Sequence, residues 1–133
     1  MKYEKSCGAV VFNNDKVLLV KSKKFGHWSF PKGHMEGNET KVETANREIF
    51  EETNLLVDIN ENVFSIIEYS PFPNVIKEVT YFYADYRIGE TIPQCTEISE
   101  INWLFIDEAY NLITFEQEKG VLKDILFQIK NKL

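Results

Sequence analysis

The sequence predicts an α/β fold in which a mixed β-sheet is sandwiched between α-helices. Its apolar, β-branched and aromatic runs outnumber its helical segments, and they follow the order of several strands, one helix, further strands and a last helix. The segments that join these elements are short. Elements in this order bury their apolar surfaces best when helices cover both faces of the sheet.

Two strands joined by a hairpin are predicted near the amino end. Residues 6–12 and 16–20 are rich in β-branched and aromatic side chains, and residues 13–15 between them are asparagine and aspartate, which favour turns. Residues 28–30 predict a further short strand that ends before Pro31.

The first helix is predicted over residues 39–53, which contain neither proline nor glycine. Thr40 followed by Glu43 fits a capping box at its start. The apolar residues that would pack the helix on the sheet form a narrow stripe: Val42, Ala45 and Ile49.

The rest of the chain predicts more strands and a second main helix. The remaining apolar runs indicate strands at 55–59, 63–69, 75–86 and 101–106, with a loop at 71–74. Asp107 is expected to cap a short helical turn, and Thr114 with Gln117 fits a second capping box. The last helix would carry its apolar face at Leu122, Ile125, Leu126, Ile129 and Leu133.

The composition predicts one globular domain over residues 1–133, since no low-complexity run or linker interrupts it. The first apolar stretch is too short for a signal peptide or a membrane span, so we expect a cytoplasmic protein that makes no membrane contact. Cys7 and Cys95 match no metal-binding spacing and are expected to be reduced. The net charge of −6 argues against a broad nucleic-acid-binding surface but allows local phosphate binding. The oligomeric state is not predicted.

Three glutamates on the first predicted helix are candidates for a metal site. With Glu48 at zero on a helical wheel, Glu52 falls at about 40° and Glu51 at about −60°, so the three carboxylates share one face. Like charges at this spacing repel, and the carboxyl end of a helix disfavours negative charge. A hard cation, Mg²⁺ or Mn²⁺, would remove both penalties. The alternative is a solvated acidic face.

The residues around these glutamates resemble the Nudix box, which reads glycine, five residues, glutamate, seven residues, Arg-Glu, aliphatic, any residue, Glu-Glu, any residue, glycine, aliphatic. The matching residues are Gly33, Glu39 and Arg47-Glu48-Ile49-Phe50-Glu51-Glu52-Thr53-Asn54-Leu55. Asn54 replaces the last glycine, and asparagine is the other residue that tolerates the left-handed conformation expected after a helix. The resemblance implies the Nudix fold and a metal-dependent hydrolase of phosphoanhydride bonds.

The resemblance also implies roles for individual residues. Those expected to bind the metal, or the water that it activates, are Glu48, Glu51 and Glu52. Arg47 would orient these glutamates, and the carbonyl group of Gly33 would join the metal ligands. Glu39 would support this arrangement, or would serve only as a helix-entry residue favoured by the helix dipole.

A neighbouring stretch is more specific. Trp28-Ser29-Phe30-Pro31-Lys32-Gly33-His34-Met35-Glu36 resembles a motif of the asymmetric bis(5′-nucleosyl)-tetraphosphatases, the diadenosine tetraphosphate hydrolases, and also of some bacterial RNA 5′-pyrophosphohydrolases. The segments 77–81 and 97–104 agree with the first of these groups. The likeness extends over most of the chain.

This second resemblance implies substrate-binding residues. Those expected to contact phosphates are Lys32, Lys77 and Tyr81. The alternative for the last two is a solvent-facing lysine and an ordinary strand aromatic. His34 would order the glycine turn or a phosphate, and Glu97 would supply an additional carboxylate for catalysis and metal binding, with Glu100 as its competitor. The rings considered for stacking on a base are Phe115, Tyr81 and Tyr83, although an aromatic residue is more often part of the core.

Three functions remain open from the sequence. The leading one is hydrolysis of a dinucleoside polyphosphate, which would yield ATP and AMP from diadenosine tetraphosphate. The second keeps the chemistry and changes the substrate to the 5′ end of RNA or to a small nucleoside triphosphate. The third is a catalytically silent Nudix module that binds nucleotides, which is disfavoured because Arg47, Glu48, Glu51 and Glu52 are all present.

Overall fold

The computed structural model describes residues 1–131, in which it contains seven strands and three helices. The strands are β1 (Lys2–Asn13), β2 (Lys16–Ser22), β3 (Trp28–Ser29), β4 (Lys32–His34), β5 (Leu56–Tyr69), β6 (Val75–Ile88) and β7 (Ile98–Phe105). The helices are α1 (Lys41–Thr53), α2 (Ile106–Leu112) and α3 (Glu116–Asn131). The predicted apolar position Leu133 lies outside the described residues.

The sheet is mixed, as the sequence predicts. Its main order is β3-β2-β1-β6-β5, with β4 pairing with β1 and β7 with β2. Strands β1 and β6 run parallel at the centre, whereas the other pairs are antiparallel. This arrangement brings the short strand β4 beside β1, where it faces the end of α1.

Helices cover both faces of the sheet, so the predicted sandwich is confirmed. Helix α1 packs on one face through Ala45 and Ile49, which belong to the same buried cluster as Ala9 and Val11 of β1. Helices α2 and α3 cover the opposite face. The buried residues on that side are Val10, Phe12, Val17, Leu19, Phe30, Val63, Val79, Tyr81, Ala109, Ile113, Val121, Leu122 and Ile125.

Helix α1 begins and ends as its sequence predicts. The Thr40 side chain accepts a hydrogen bond from the Glu43 amide at 3.1 Å, and the Glu43 carboxylate accepts one from the Thr40 amide at 2.8 Å. The helix ends at Thr53, and Asn54, the residue that follows it, adopts the left-handed conformation with φ of 67°. The replacement of the last glycine of the box is therefore tolerated in the expected way.

Two strand predictions need correction. Residues 56–69 form one strand with an irregular register between Asn60 and Phe64, where two separate strands were expected. Such irregularities add residues to one strand without breaking the sheet, so the polar residues in between do not end it. Strand β4 was not predicted, because its three residues include a glycine and only the long-range pairing with β1 makes them a strand.

The two predicted helix caps near the carboxyl end are also wrong. Asp107 lies inside the first turn of α2, and it is Glu108 that accepts the Phe105 amide at 3.2 Å. Thr114 accepts the Trp28 amide at 2.8 Å, and Gln117 donates to the Glu68 carbonyl oxygen at 2.9 Å. These side chains tie the start of α3 to the sheet instead of capping it.

Two expectations from composition can be compared with the structure. Cys7 is buried, Cys95 is exposed, and both are free thiols, as predicted. None of the helices within residues 1–131 has the length and apolar character that a membrane span requires.

Candidate active site

Arg47 is the centre of a hydrogen-bonded cluster on α1. Its Nε and Nη2 atoms donate to the two carboxylate oxygens of Glu39, at 2.6 and 3.0 Å. Its Nη1 atom donates to Glu48 at 2.8 Å and to Glu51 at 3.1 Å, and Nη2 also donates to the carbonyl oxygen of His34 at 2.9 Å. A planar guanidinium suits such paired contacts. One cation thus holds three carboxylates and strand β4 together.

Glu39 is fully engaged in this cluster. Besides the Arg47 bonds, its Oε1 atom accepts the Glu36 amide and the Thr44 hydroxyl, each at 2.9 Å. The bond from Arg47, followed by that from the Glu36 amide, lowers the pKa of Glu39 to about 2. The carboxylate therefore stays charged and keeps Arg47 in place, which is more than a helix-entry residue requires.

Gly33 brings the backbone of β4 against the Glu48 carboxylate. A Cβ atom added at Gly33 would lie 2.0 Å from Glu48 Cδ and 2.1 Å from its Oε2. Only glycine allows this approach, because any side chain would displace the carboxylate that Arg47 holds. A different kind of crowding surrounds Gly8, where an added Cβ would lie 2.0 Å from the backbone oxygen of Pro31.

Substitution of the two glycines should therefore have different consequences. We expect Gly33→Ala to lower kcat by about 10²-fold with little loss of stability, because it displaces a flexible carboxylate by an ångström or more. Gly8→Ala should unfold the protein or lower its Tm strongly, because the backbone of Pro31 cannot move aside. Thermal unfolding and steady-state kinetics of both variants check this, and equal losses of Tm would contradict it.

Glu52 is the buried carboxylate of the three box glutamates, with 7% of its surface exposed. Its Oε1 atom accepts the backbone N–H of Lys32 at 3.2 Å. Burial is the main reason that its pKa is raised to about 8, and the negative charge of Glu48 adds to this effect. A carboxylate kept from water in this way gains free energy from a bound cation.

A small cavity of about 200 Å³ collects most of the residues predicted to act on the substrate. Its lining includes Lys32, Gly33, His34, Glu52, Lys77 and Glu97. These residues come from β4, α1, β6 and the loop before β7, so only the fold brings them together. Glu48 and Glu51 lie beside this group, on the Arg47 side of Gly33.

The loop before β7 is fixed to α1 by backbone hydrogen bonds. The amide of Gln94 donates to the Glu52 carbonyl oxygen at 3.2 Å, and the amide of Glu97 donates to the Gln94 carbonyl oxygen at 3.1 Å. These bonds place Glu97 at the cavity. Glu100 instead forms an ion pair with Lys21 at 3.3 Å on the surface. The geometry therefore separates the two candidates and favours Glu97.

Lys77 and His34 bring basic groups to the same cavity. Burial, together with the charge of Lys32, lowers the pKa of Lys77. Burial and the charge of Lys77 lower the pKa of His34, so its imidazole is mainly neutral at pH 7. Two nearby lysines repel each other, and an anion placed between them would remove this repulsion.

A larger cavity of about 730 Å³ adjoins the small one and shares Ser22, Ser29 and Lys32 with it. Its remaining lining is Phe25, His27, Tyr69, Pro71, Phe115, Glu116, Gln117 and Glu118. The rings of His27 and Phe115 meet edge to face at 4.6 Å, and Phe25 stacks on His27 at 5.4 Å. The sequence did not reveal Phe25, His27 or Glu118 as site residues, since no local motif marks them.

Tyr81 is not at either cavity, contrary to the predicted phosphate contact. Its side chain is fully buried and packs edge to face on Phe30. Its position on β6 points it into the core beneath α3, as the alternation of that strand requires. Tyr83 packs on Phe12 and donates its hydroxyl to Asp85 at 2.7 Å, so it is not a stacking ring of these cavities. Of the three predicted rings, only Phe115 lines one.

Comparison with known proteins decides the family. A family model described as the NUDIX domain matches residues 2–124. The chain belongs to the Nudix family. The resemblance of the sequence to the Nudix box is thereby confirmed, as is the assignment of the chain to a family of hydrolases.

Two curated relatives of this Nudix chain differ in how much of their length it spans. The asymmetrical bis(5′-nucleosyl)-tetraphosphatase of Rattus norvegicus is 29% identical, and the match covers 90% of the chain and 91% of the relative. The NAD-capped RNA hydrolase NudC of Pseudomonas syringae pv. syringae is 31% identical over 101 residues. That match covers 74% of the chain but only 35% of the relative, so the chain spans about a third of that protein.

Among solved structures, a binary complex of the Ap4A hydrolase of C. elegans is similar with a TM-score of 0.86. The match covers 96% of the chain and 98% of the C. elegans protein at 21% identity. At this level of identity the likeness confirms the Nudix fold. It does not extend to the substrate.

The oxygen donors of this Nudix site fit a divalent cation. Within residues 1–131 no three His, Cys, Asp or Glu side chains are grouped closely enough to enclose a metal by themselves. Mg²⁺, however, usually takes one or two carboxylates and completes its ligands with water and substrate phosphates. Glu52, short of hydrogen-bond partners, and Glu48, pressed against the Gly33 backbone, offer such carboxylates.

Proposed function

We propose that this protein hydrolyses dinucleoside polyphosphates, with diadenosine tetraphosphate converted to ATP and AMP. The observation that carries the proposal is the pair of adjoining cavities. The small one combines lysines with carboxylates, as a polyphosphate and its cation require, and the larger one has aromatic rings, as a nucleobase requires. Lys32 belongs to both and would contact the phosphate nearest the nucleoside.

The size of the cavities supports this division. Sites for small organic molecules usually measure about 300–1,000 Å³, a range that includes the larger cavity and excludes the smaller one. Stacking of a base on an aromatic ring contributes roughly 1–3 kcal/mol and tolerates different bases. The base would therefore lie against Phe115 and His27, while the phosphates extend towards Lys77.

In the proposed reaction, the oxygen of a water forms a bond to one phosphorus, the bond from that phosphorus to a bridging oxygen breaks, and the departing phosphate takes a proton. A bound divalent cation supplies charge neutralisation and a more acidic water for this step. Its ligands would come from Glu48, Glu51, Glu52 and Glu97 and the Gly33 carbonyl oxygen, with one or two of these carboxylates binding directly and the others acting through bound water. Arg47 would keep Glu48 and Glu51 in position.

The basic residues have a separate task. Lys32 and Lys77 would hold the phosphates and offset the charge that develops as the bridging bond breaks. His34, being mainly neutral, can donate one ring N–H to a phosphate oxygen without adding a further charge between the lysines.

The relative that matches over most of its length supports the same substrate. The rat tetraphosphatase and this chain match over nine-tenths of the length of both. The NudC relative, which acts on NAD-capped RNA, matches over about a third of its length, so its substrate is the weaker guide. The net charge of −6 offers RNA no broad cationic surface.

The substrate can be tested directly. We expect the protein with Mg²⁺ to release ATP and AMP in equal amounts from diadenosine tetraphosphate, as followed by anion-exchange chromatography. The parallel reaction uses 5′-triphosphorylated RNA, and EDTA serves as the control for metal dependence. Release of phosphate or pyrophosphate from RNA, with no ATP and AMP from the dinucleotide, would replace the proposal by RNA 5′-end hydrolysis. Binding of nucleotides without turnover of either substrate would indicate a silent module.

The role of the loop carboxylate gives a second test. Glu97→Gln should lower kcat by roughly 10–100-fold, because a ligand that orients metal and substrate is lost. Glu100→Gln removes the same charge three residues away and should stay within about twofold, because exposed ion pairs contribute little. If Glu100→Gln were the slower enzyme, Glu100 would replace Glu97 in the proposed site.

A further inference from the structure

A buried carboxyl group on α3 is not used by the proposed hydrolysis. Glu118 lines the larger cavity and is only 6% exposed, whereas the side chain of its neighbour Glu116 is 87% exposed. Among the described residues no hydrogen bond or ion pair involves the Glu118 carboxylate. Burial of such a group costs free energy unless it gains a partner.

The helix dipole does not explain this burial. Glu116 and Glu118 both lie in the first turn of α3, where negative charge is favoured, but the exposed Glu116 satisfies that preference without leaving water. Glu118 instead lies one turn before Leu122 and two turns before Ile125, both fully buried, so it occupies the apolar stripe of α3. An apolar side chain would be the stable choice at this position.

The charged and titratable groups that face Glu118 come from three strands. Lys32 of β4 favours the ionised carboxylate, but burial is the larger influence and raises the pKa of Glu118. Tyr69 of β5 and Tyr81 of β6 are close enough for the charge of Glu118 to raise the pKa of each. The Tyr81 hydroxyl is itself buried and lacks a partner within residues 1–131. The Glu118 carboxylate and the Tyr81 hydroxyl are therefore two buried polar groups that have no hydrogen-bond partner among the described residues.

We propose that Glu118 determines base specificity, with its carboxyl oxygen accepting a hydrogen bond from the exocyclic amine of a purine that lies against Phe115. The inference rests on the proposed function, because that function places a nucleobase in the larger cavity. Phe115 and Glu118 are three residues apart, so they are neighbours on the same side of the helix start. Both line the cavity.

The chemistry of the two residues is complementary. An aromatic ring stacks on any base, since every base has a π-face, and so it cannot distinguish one from another. A carboxyl oxygen accepts hydrogen bonds whether or not the group is protonated. An N–H donor on the base edge, such as the 6-amino group of adenine, therefore gives Glu118 the partner that the protein does not provide.

The test compares two nucleotides that differ only in this amine. Binding of AMP and of purine riboside 5′-monophosphate, which lacks the amino group, is measured by calorimetry with the full chain. We expect AMP to bind at least about tenfold more tightly, as one hydrogen bond to a carboxylate implies. Glu118→Leu should reduce this ratio to about one, whereas Glu118→Gln should keep it because the amide oxygen still accepts.

A control variant removes charge from the same helix without touching the cavity. Asp124 is exposed on α3, and Asp124→Asn should keep the AMP preference of the wild type. Glu118→Leu should also raise the Tm by a few degrees, because an unpaired buried carboxyl is replaced by an apolar group of similar size. Glu118→Ala provides a second variant should leucine disturb the packing of the helix start.

The outcomes separate this inference from the proposed function. If the wild type binds both nucleotides equally, or if Glu118→Leu and Glu118→Ala keep the preference, the inference is overturned whatever the enzyme hydrolyses. A lowered Tm with an unchanged ratio would give Glu118 a structural role only. If the ratio collapses as expected while diadenosine tetraphosphate is not hydrolysed, base recognition by Glu118 stands and the proposed function fails.

Discussion

Glu52→Gln is expected to lower kcat by roughly 10³-fold while the protein remains folded, because the change removes the charge of the most buried box carboxylate. Glutamine keeps the size of the side chain and an oxygen for the Lys32 N–H bond. The loss should appear in kcat with Mg²⁺ and diadenosine tetraphosphate at saturation. Glu61→Gln, an equal change of charge at an exposed position of β5, should retain wild-type activity.

The same variant should reveal the cost of burying Glu52 in metal-free protein. Its pKa is about 8 in the folded chain and about 4.5 when unfolded, so the folded state holds its proton more tightly. The free energy of unfolding of the wild type therefore falls as the pH rises from about 4.5 towards 8. Glutamine cannot ionise, so the free energy of unfolding of the variant does not fall for this reason. In EDTA the Tm of Glu52→Gln should exceed that of the wild type increasingly across this range.

Two results would contradict this account of Glu52. Near-wild-type turnover by Glu52→Gln would mean that Glu52 takes no part in the reaction. If the curves of Tm against pH for the variant and the wild type ran parallel, burial of the Glu52 carboxyl group would not destabilise the folded protein. Added Mg²⁺ should raise the Tm of the wild type more than that of the variant, because only the former offers a buried charge to the cation.

The features of α1 that the sequence predicts depend on residues close together in the chain. Thr40 and Glu43 lie three residues apart, and the stripe of Ala45 and Ile49 follows a single helical period. Interactions of this range can be inferred from spacing alone. Asn54 is a similar case, since a left-handed residue after a helix is a property of the chain at that point.

Features that depend on contacts between residues distant in the sequence were harder to predict. Thr114 and Gln117 have the spacing of a capping box, yet both bond to the sheet, and sequence spacing does not distinguish the two uses. The resemblance places Tyr81 at the substrate, whereas the alternation of side chains along a strand puts it on the same face as Val79, and that face is the core. Here periodicity was the better guide.

The candidate site depends both on local sequence patterns and on contacts between residues distant in the sequence. The grouping of Lys32, Lys77 and Glu97 at one cavity agrees with the resemblance, but their separations of up to 65 positions mean that no local pattern could have placed them together. The position of Glu118 does carry a signal in the sequence. Extending the apolar stripe of α3 back by one turn from Leu122 reaches a glutamate, and an acid on a buried stripe indicates a functional position.

Arg47→Ala is expected to destabilise the metal-free protein by about 2–3 kcal/mol, because it leaves Glu39, Glu48 and Glu51 without their shared cation. The value lies below that of a fully buried pair, since the Arg47 side chain is 24% exposed. Arg47→Lys should recover only part of the loss, because an ammonium group cannot reproduce the paired bonds of the guanidinium. Urea denaturation in EDTA measures both.

A matched control is available at Arg87, whose ion pair with Asp58 is 3.9 Å long and whose side chain is 55% exposed. Arg87→Ala should cost well under about 1 kcal/mol, as most exposed pairs do. Equal destabilisation by the two substitutions would mean that the Arg47 cluster is an ordinary surface network. The kcat of Arg47→Ala should also fall by roughly 10–100-fold, the range seen when a group that orients metal ligands is removed.

Addition of Mg²⁺ distinguishes an orienting arginine from one that only stabilises the fold. A cation bound by Glu48 and Glu51 offsets the repulsion that the loss of Arg47 exposes, so the stability gap between Arg47→Ala and the wild type should narrow in Mg²⁺. Turnover should not recover to the same extent, because a bound metal restores charge balance but leaves the carboxylates and the His34 carbonyl of β4 without their common anchor. If activity and stability were restored together, Arg47 would act through charge alone, and its five-donor geometry would be irrelevant to catalysis.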